Sequence, residues 1–483
     1  MGILTGRRRF NLICQHKCGV SLYMDVVSAG VARGVEGKVI VPYIEAAYAA
    51  SIHIQPLVCP SSFLKFPFDK ALAHCYSISM HEQSTNVFRK GWCFILKRLF
   101  ILLMAIMLLI PLAAGCGTDT STTGSSGGDT IKVGLNYELS NDLAQYGQAS
   151  VEGIELAVEE INKAGGVLGK EIELIKQDNK SDPAEATNVA TKLAKDKVVA
   201  ILGPATSGNV KAVRPVVTEN KIPLISGSAT ADDVTVTENG VAEYIFRTCF
   251  NDSFQGGSMA KFAVDELNAK TAVMYVETTS DYSKGLAASF KDVFTSNGGQ
   301  ILAEEYYQGK DKDFRSVLTK LKGYNADVIY VPGYYNEVGL IIKQAREMGI
   351  TAPILGGDGF DSNVVPQEAG AAALTDVYFT NHYSADDTDQ KVVDFRKAFN
   401  AKYNKDPNAF HASGYDEMYF LADAIKRANS TDPVKIKDAL ASTKDFKAVT
   451  GTLSIDENHN PVKSVVIVQW KGDKQEFVTR IEP

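Results

Sequence analysis

The chain is poor in cysteine over most of its length, and it carries no excess of basic residues. Of its 7 cysteines, only Cys116 and Cys249 lie beyond residue 97, so disulfides do not hold the larger part of the chain together. The formal net charge is −7. A nucleic-acid partner is therefore excluded, because binding to phosphates requires a basic surface.

Catalytic and cofactor motifs are also missing from the larger part of the chain. Beyond residue 129 there is no Gly-x-Ser-x-Gly elbow and no His-Glu-x-x-His helix, and no Gly-x-Gly-x-x-Gly follows the first predicted strand. Gly203 and Gly208 have the spacing of a phosphate loop, but Asn209 and Val210 stand where Lys and Ser or Thr are needed. These absences argue against an enzyme, and no cofactor or metal ion is expected.

An apolar run inside the chain, from Leu99 to Ala114, has the layout of a signal peptide, with two basic residues before it. It is shorter than the roughly 20 residues that span a bilayer. The letters LAAG directly before Cys116 resemble a bacterial lipobox, which implies cleavage there and attachment of lipid to the cysteine sulfur. We predict a lipoprotein signal peptide over 96–115 and a flexible tether rich in Gly and Ser over 116–128.

Residues 1–95 differ from the rest, because apolar and basic residues are scattered there with no sustained helical or strand period. We expect no packed domain from this segment. Signal peptides stand at the start of a chain, and leucine is what a TTG codon encodes inside a gene, although bacteria can also start translation at TTG. We hypothesise that Leu96 is the true initiator and that residues 1–95 are upstream sequence read in frame.

From residue 129 onward, apolar runs typical of strands alternate with helical patterns of about 10–15 residues. Two such sets follow each other and predict an α/β fold with two Rossmann-like lobes, each a parallel sheet covered by helices. Two long helices are predicted near the end, at 387–404 and 410–428. The predicted strands are 131–137, 171–178, 198–203, 222–226, 271–277, 301–307, 327–333, 353–357, 463–470 and 476–481.

The loops that follow the strands carry the candidate site, because open parallel sheets bind ligands beyond the carboxyl ends of their strands. Ser207 comes after the third strand, where it either caps the next helix or helps to bind an anion at the helix N-terminus. Ser228 offers a second hydroxyl, and Tyr334 an aromatic ring. Asp358 lies in a glycine-rich turn, either as a turn residue or as a charged ligand group. Together these groups suit a small zwitterion.

The body contains, in order, the segments AQYG, EINKAGGVLGK, DNKSDPAEA, ILGPATSG, IPLISGSAT and DYSKG. In this order they resemble the branched-chain amino acid binding proteins of ABC importers, over about residues 129–483. The resemblance implies the type I periplasmic binding protein fold, in which three crossovers join two lobes around a ligand cleft. We expect lobe 1 at 129–250, lobe 2 at 251–380, a return to lobe 1 at 381–455, and a crossover with closing strands at 456–483.

The resemblance also implies roles for individual residues. Ser207, Thr230 and the backbone of Ser228 would bind the α-carboxylate of an amino acid, and Asp358 would bind its α-ammonium. Aromatic side chains would wall the cleft at Tyr146, Tyr282, Tyr334 and, more weakly, Phe410.

Two departures from the family pattern bear on which amino acid would bind. Asp358 stands where leucine-type binders commonly carry Glu, so its carboxylate reaches one methylene less far. Asn141 replaces a glycine that the family often has next to Ser140. The edge of the side-chain pocket therefore differs from that of a Leu, Ile or Val binder.

These expectations together predict an extracytoplasmic solute-binding protein that hands an amino acid to an ABC permease. We expect a monomer that is anchored to the membrane by lipid at Cys116. Two alternatives stay open: a ligand-sensing module of a receptor or regulator with the same fold, and a binder of a non-amino-acid amide. A regulator would add a DNA-binding helical head and a receptor a further membrane segment, and neither pattern is found in this sequence.

Overall fold

The computed structural model describes residues 130–483 and, before them, only the backbone of three short strands: β1 (Gly6–Leu12), β2 (Leu22–Ser28) and β3 (Ile52–His53). These strands form an antiparallel sheet in the order β1-β2-β3. The predicted signal peptide, tether and lipid-bearing Cys116 lie outside the described residues. The prediction that residues 1–95 form no packed domain stays a prediction.

The described part from residue 130 alternates strands and helices. The strands are β4 (Ile131–Tyr137), β5 (Ile172–Asp178), β6 (Ala200–Leu202), β7 (Leu224–Ser226), β8 (Val236–Thr237), β9 (Gly240–Val241), β10 (Ile245–Arg247), β11 (Thr271–Glu277), β12 (Gln300–Tyr307), β13 (Val328–Tyr330), β14 (Ile354–Gly356), β15 (Val377–Asn381), β16 (Phe446–Ala448), β17 (Gly451–Ile455), β18 (Pro461–Val462), β19 (Val465–Lys471) and β20 (Lys474–Ile481). The α-helices are α1 (Ala144–Lys163), α2 (Pro183–Lys195), α3 (Ser207–Asn220), α4 (Asp252–Asp265), α5 (Asp281–Ser296), α6 (Arg315–Tyr324), α7 (Tyr335–Glu347), α8 (Val364–Ala369), α9 (Gln390–Tyr403), α10 (Ala409–Ala428) and α11 (Pro433–Ala441).

Lobe 1 is built on a five-stranded parallel sheet in the order β10-β7-β6-β4-β5. Its interior strand β4 is buried at nearly every position, because helices cover both faces of a parallel sheet. Helix α10 returns from the far end of the sequence and packs along α1. Cys249 is buried and forms no disulfide within the described residues.

Local signals in the sequence set the helix ends of lobe 1. Asp182 caps α2, because its carboxylate accepts a hydrogen bond from the Glu185 amide at 2.8 Å, and Pro183 occupies the first helical position. Asn408 and His411 form a reciprocal capping box at the start of α10. These caps fix where each helix begins relative to the sheet.

Lobe 2 is built on a seven-stranded sheet in the order β12-β11-β13-β14-β15-β19-β20. The first five of these strands are parallel, as predicted. Strands β19 and β20 instead run antiparallel to their neighbours. For the pair β19 and β20 the reason is local, since a tight turn with Gly472 at φ +64° joins them, and such a short turn can only connect antiparallel strands.

The chain passes between the lobes three times: after β10, after β15, and between β18 and β19. The prediction of an α/β fold with two lobes and three crossovers is therefore confirmed. The carboxyl ends of the parallel strands in both sheets face the cleft between the lobes. Over the described part of the chain, no helix combines the length and the apolar character that a membrane span needs.

Candidate ligand-binding site

A pocket lies in the cleft between the two lobes, and its lining comes from both of them. The lining residues are Tyr146, Ala205, Thr206, Ser207, Ser228, Tyr282, Tyr334, Asp358, Gly359 and Phe410. All of the expected pocket residues except Thr230 are therefore brought together. The cavity that they enclose is about 10 Å³, about the room that one water molecule needs. The walls are nearly in contact, so any larger molecule can enter only when the lobes move apart.

The lobe 1 wall is the loop between β6 and α3. Gly203 in this loop has φ +80°, and a Cβ there would lie 2.6 Å from the Asn136 carbonyl oxygen, so no other residue fits without strain. Ser207 opens α3, and it is Thr206 that holds the N-cap position, without a side-chain capping bond. The Ser207 hydroxyl instead accepts a hydrogen bond from the Ala231 amide at 3.1 Å. Its own hydrogen stays available to the pocket.

Glu138 is a second part of this wall, and the sequence analysis missed it. It is fully buried, and its carboxylate accepts four hydrogen bonds from the loop: from the amides of Ala205 (3.0 Å) and Thr206 (3.3 Å), from Thr206 Oγ1 (2.8 Å) and from Asn209 Nδ2 (2.7 Å). Glu138 directly follows β4, so the rule that sites follow strands could have found it. The carboxylate holds the loop in the shape that presents Ser207.

The loop after β7 contributes Ser228 but not Thr230. The Ser228 hydroxyl donates to the Ala205 carbonyl oxygen at 2.9 Å and ties the two loops together. Thr230 is fully buried and is not among the residues that line the closed pocket, and its Oγ1 has no hydrogen-bond partner among the described residues. Its expected role in binding the α-carboxylate stays a prediction. Thr230 lies next to Asp252, where burial raises the pKa of that carboxyl well above its ordinary value and the Thr230 hydroxyl opposes the shift.

The lobe 2 wall presents one carboxylate, that of Asp358, in the turn after β14. The Tyr282 hydroxyl donates to its Oδ1 at 2.8 Å, and His382 Nε2 lies 3.1 Å from its Oδ2. The Gln255 side chain fixes the turn by accepting from the Asp358 amide at 2.8 Å. Burial lowers the pKa of His382, although Asp358 opposes the shift. Asp358 is thus supported by neutral donors, which use only part of the acceptor capacity of a carboxylate.

Close packing at Gly357 holds this turn against α5. A Cβ at Gly357 would lie 2.5 Å from the Tyr282 hydroxyl oxygen, so a larger residue would displace the donor that orients Asp358. His382 was not among the expected site residues. Its ring stacks on Phe250 with centroids 3.9 Å apart, and no local pattern in the sequence connects it with a partner 24 residues earlier.

Aromatic rings form the remaining walls as two stacked pairs. In lobe 1, Tyr146 stacks on Phe410 with centroids 4.3 Å apart. In lobe 2, Tyr282 stacks on Tyr334 at 5.2 Å. The Tyr146 hydroxyl also crosses the cleft and donates to the Gly359 carbonyl oxygen at 2.6 Å. The rings therefore shape an apolar space and also join the two lobes.

Further contacts at the two edges of the cleft hold the lobes together. At one edge, the Tyr335 hydroxyl and the Asn336 amide both donate to the Asp142 carbonyl oxygen, at 2.7 and 2.6 Å. At the other edge, Lys211 Nζ of α3 pairs with the Asp281 carboxylate of α5 at 2.7 Å. The described lobes are therefore in a closed arrangement.

The arrangement pairs hydrogen-bond donors with an acceptor carboxylate across the cleft. Lobe 1 offers the Ser207 hydroxyl and the N-terminal end of α3, which attracts negative charge. Lobe 2 offers Asp358, which attracts a cation or a strong donor. Among the described residues, no group of three or more His, Cys, Asp or Glu side chains is placed to hold a metal ion. The site can thus bind a small molecule that carries both charges.

Comparisons with known proteins agree with this geometry. The family model described as periplasmic binding protein matches residues 130–475. The leucine-, isoleucine-, valine-, threonine- and alanine-binding protein of Pseudomonas aeruginosa is 31% identical over 352 residues, which cover 72% of this chain and 92% of that protein.

Two solved structures are similar over the same part of the chain. The branched-chain amino acid transporter substrate-binding protein LivJ from Streptococcus pneumoniae, in complex with isoleucine, is 44% identical with a TM-score of 0.70, covering 74% of this chain and all of that one. The leucine-binding protein LivK from Thermotoga maritima is 36% identical with a TM-score of 0.69, covering 73% and 99%. The family resemblance read from the sequence is confirmed, and the chain belongs to the periplasmic binding protein family.

Proposed function

We propose that this protein captures a branched-chain amino acid, or a related small zwitterion, between its lobes and delivers it to an ABC importer. The observation that carries the proposal is that one closed pocket contains a binding group for each charge of a zwitterion. Lobe 1 contributes Ser207 with the α3 N-terminus, and lobe 2 contributes Asp358. The isoleucine in the Streptococcus pneumoniae structure and the name of the Pseudomonas aeruginosa relative support this ligand class.

Both charges of a buried zwitterion must be matched, because an unpaired buried charge costs several kcal/mol. The α-carboxylate would lie at the α3 N-terminus, where it accepts from Ser207 and from free backbone amides. The α-ammonium would donate to Asp358, whose oxygens keep acceptor capacity beyond their bonds to Tyr282 and His382. The apolar side chain would lie among the stacked rings.

Closure of the lobes follows from this division of the binding groups. A ligand bonded to both Ser207 and Asp358 makes its full set of contacts only when the cleft is shut. Binding therefore shifts the population toward the closed form. Recognition of the closed form by a permease would then couple capture of the solute to its transport.

The proposed location of the protein is outside the cytoplasm, on the cell membrane. Members of this family act outside the cytoplasm, and the lipobox-like segment before Cys116 supports a lipid anchor on the cell membrane. Metabolic labelling with a radioactive fatty acid tests the anchor. The full chain is expected to incorporate label and Cys116→Ser to lose it, and equal labelling of both would contradict the anchor.

Calorimetric titration with leucine, isoleucine, valine and small amides tests the ligand class. We expect saturable binding of at least one branched-chain amino acid with a stoichiometry of one. Binding of an uncharged amide, with no response to any amino acid, would favour the amide alternative and contradict the proposal.

A further inference from the structure

A second cavity, of about 370 Å³, lies at the mouth of the cleft next to the tyrosine-lined pocket. The two spaces share Thr206 and Tyr334 in their linings. Both lobes contribute to the mouth cavity, with Asp142 from lobe 1 and Glu277 and Glu337 from lobe 2. This cavity is much larger than the pocket, and the proposed function does not use it.

Glu277 is a buried carboxylate of this cavity whose hydrogen bonding is incomplete. Its side chain lines the cavity, yet the residue is only 5% exposed. One carboxylate oxygen, Oε1, accepts from the Thr279 hydroxyl at 2.5 Å. The other, Oε2, is buried and has no hydrogen-bond partner among the described residues. Leaving such an acceptor unsatisfied is costly, and burial correspondingly raises the pKa of Glu277.

The other charges of the cavity do not balance Glu277. Glu337 is 6% exposed and accepts from the Lys310 backbone amide, at 2.7 Å. The Lys310 ammonium is instead paired with Asp142, at 2.8 Å. Within residues 130–483, neither Glu277 nor Glu337 takes part in an ion pair. The cavity is therefore acidic, and its two buried carboxylates lack an ion pair. The charges of Lys284 and Lys312 only oppose the rise in the pKa of Glu277 and of Glu337 that burial causes.

We propose that the mouth cavity is a binding site for an organic ammonium group, with Glu277 as its principal acceptor. A primary ammonium carries three hydrogen-bond donors, so it can donate to the part of Glu277 that lines the cavity, offset the charge of this carboxylate and also reach neighbouring acceptors. A bare metal ion is disfavoured, because the described residues hold no carboxylate cluster with metal-ligand geometry. A cation here lies between carboxylates of the two lobes and lowers their mutual repulsion, so it stabilises the closed form.

This site adjoins the amino-acid pocket, but Glu277 and Glu337 lie outside the lining of that pocket, so the proposal does not depend on which solute the pocket takes. Calorimetric titration of the protein with putrescine, a four-carbon diamine, tests it at constant ionic strength. Butanediol serves as the uncharged isostere and magnesium chloride as the inorganic dication. We expect saturable binding of putrescine alone. No binding of putrescine, or equal binding of butanediol or magnesium, would overturn the assignment.

The variant Glu277→Gln removes the charge and keeps the size of the side chain. We expect it to weaken putrescine binding by at least about tenfold, and Glu337→Gln to weaken it less. Glu266→Gln is the matched control, because Glu266 is exposed in lobe 2 and does not line the cavity. Unchanged putrescine affinity in a folded Glu277→Gln protein would refute the role of Glu277, and Glu337→Gln supplies the test if that protein does not fold.

Isoleucine is titrated into the same proteins in a separate experiment. Glu277→Gln is expected to bind isoleucine as the unaltered protein does, since Glu277 lies outside the pocket lining. Loss of both ligands together would overturn the ammonium site and point to a structural role. If putrescine binds and isoleucine does not, the ammonium site stands and the proposed function fails.

Discussion

Each lobe has one buried carboxylate at its side of the pocket, and the two carboxylates differ in how fully the protein satisfies their hydrogen bonding. In lobe 1, Glu138 is fully buried, and its carboxylate accepts four hydrogen bonds from the loop before α3. In lobe 2, Asp358 is almost as deeply buried but bonds only two neutral side-chain donors, Tyr282 and His382.

This difference separates a structural carboxylate from a ligand-binding one. Glu138 is satisfied by the protein and shapes the wall that carries Ser207. Asp358 is oriented by the protein and keeps capacity for one more donor. Residue type and burial alone would not tell the two apart, because the number of partners decides the role. Substitutions in each lobe in turn test this difference.

The largest effect is expected in lobe 2, from Asp358→Ala. Loss of the partner leaves an ammonium buried without a counter-charge, which costs about 3 kcal/mol or more and lowers isoleucine affinity by over about a hundredfold. Calorimetry measures the change, and Asp265→Ala is the control, since Asp265 is exposed in the same lobe. Isoleucine affinity within about threefold of the unaltered protein, about 0.7 kcal/mol, would contradict a direct role for Asp358.

The next largest effect is expected in lobe 1, from Glu138→Gln. This substitution should lower the stability of the protein more than its affinity for isoleucine. The new amide nitrogen would replace one carboxylate oxygen and face either the Ala205 amide or the three donors of Thr206 and Asn209, so the free energy of unfolding should fall by about 1–3 kcal/mol. Urea denaturation measures it. Glu219→Gln, on the exposed side of α3, should change nothing, and an equally stable Glu138→Gln protein would show that the loop does not need this carboxylate.

A smaller effect is expected from Tyr146→Phe, which removes the hydroxyl that bonds Gly359 across the cleft. A neutral hydrogen bond contributes about 1 kcal/mol, so the closed complex should dissociate about fivefold faster. Stopped-flow measurement of ligand release tests this. Tyr330→Phe is the matched control, because the Tyr330 hydroxyl is buried and has no hydrogen-bond partner within residues 130–483. The same acceleration in both variants would rule out the cross-cleft bond as the cause.

The smallest effect is expected at the edge of the cleft, from Lys211→Met. Its ion pair with Asp281 is partly exposed, and such pairs contribute about 1 kcal/mol at most. Affinity should fall by less than about fivefold at low salt, with no difference near 1 M salt, where screening is strong. Lys291→Met, which breaks a pair within lobe 2, should leave affinity unchanged at any salt. A loss that persists at high salt would contradict a purely electrostatic role.

The sequence predicted the elements whose signals are local. Strands β4 and β11 agree with the predictions at both ends, because each is a long apolar run between polar residues. Strands β10 and β15 were missed. Arg247 interrupts the apolar pattern of β10, yet it is fully buried, because its guanidinium donates to carbonyl oxygens of the loop after β7. Such tertiary compensation leaves no trace in a local pattern.

Helix α11 was also missed, although Asp432 and Pro433 mark its start as clearly as the corresponding pair marks α2.

The sequence also predicted part of the candidate site. Ser207 and Asp358 follow strand ends, and the shared edge of a parallel sheet brings such positions together. Thr230 also follows a strand and is fully buried near Asp252, and its role in ligand binding stays a prediction. The pairing of His382 with Asp358 could not be read from spacing, because it depends on how the second crossover folds back.

Calorimetric comparison of isoleucine with two analogues tests the central claim, that each lobe matches one end of a zwitterion. Isoleucine methyl ester lacks the carboxylate charge, and 3-methylpentanoate lacks the ammonium. The account predicts tight binding of isoleucine and a loss of over about a hundredfold for each analogue, since each leaves one buried group unmatched. Binding of either analogue with an affinity close to that of isoleucine would contradict it.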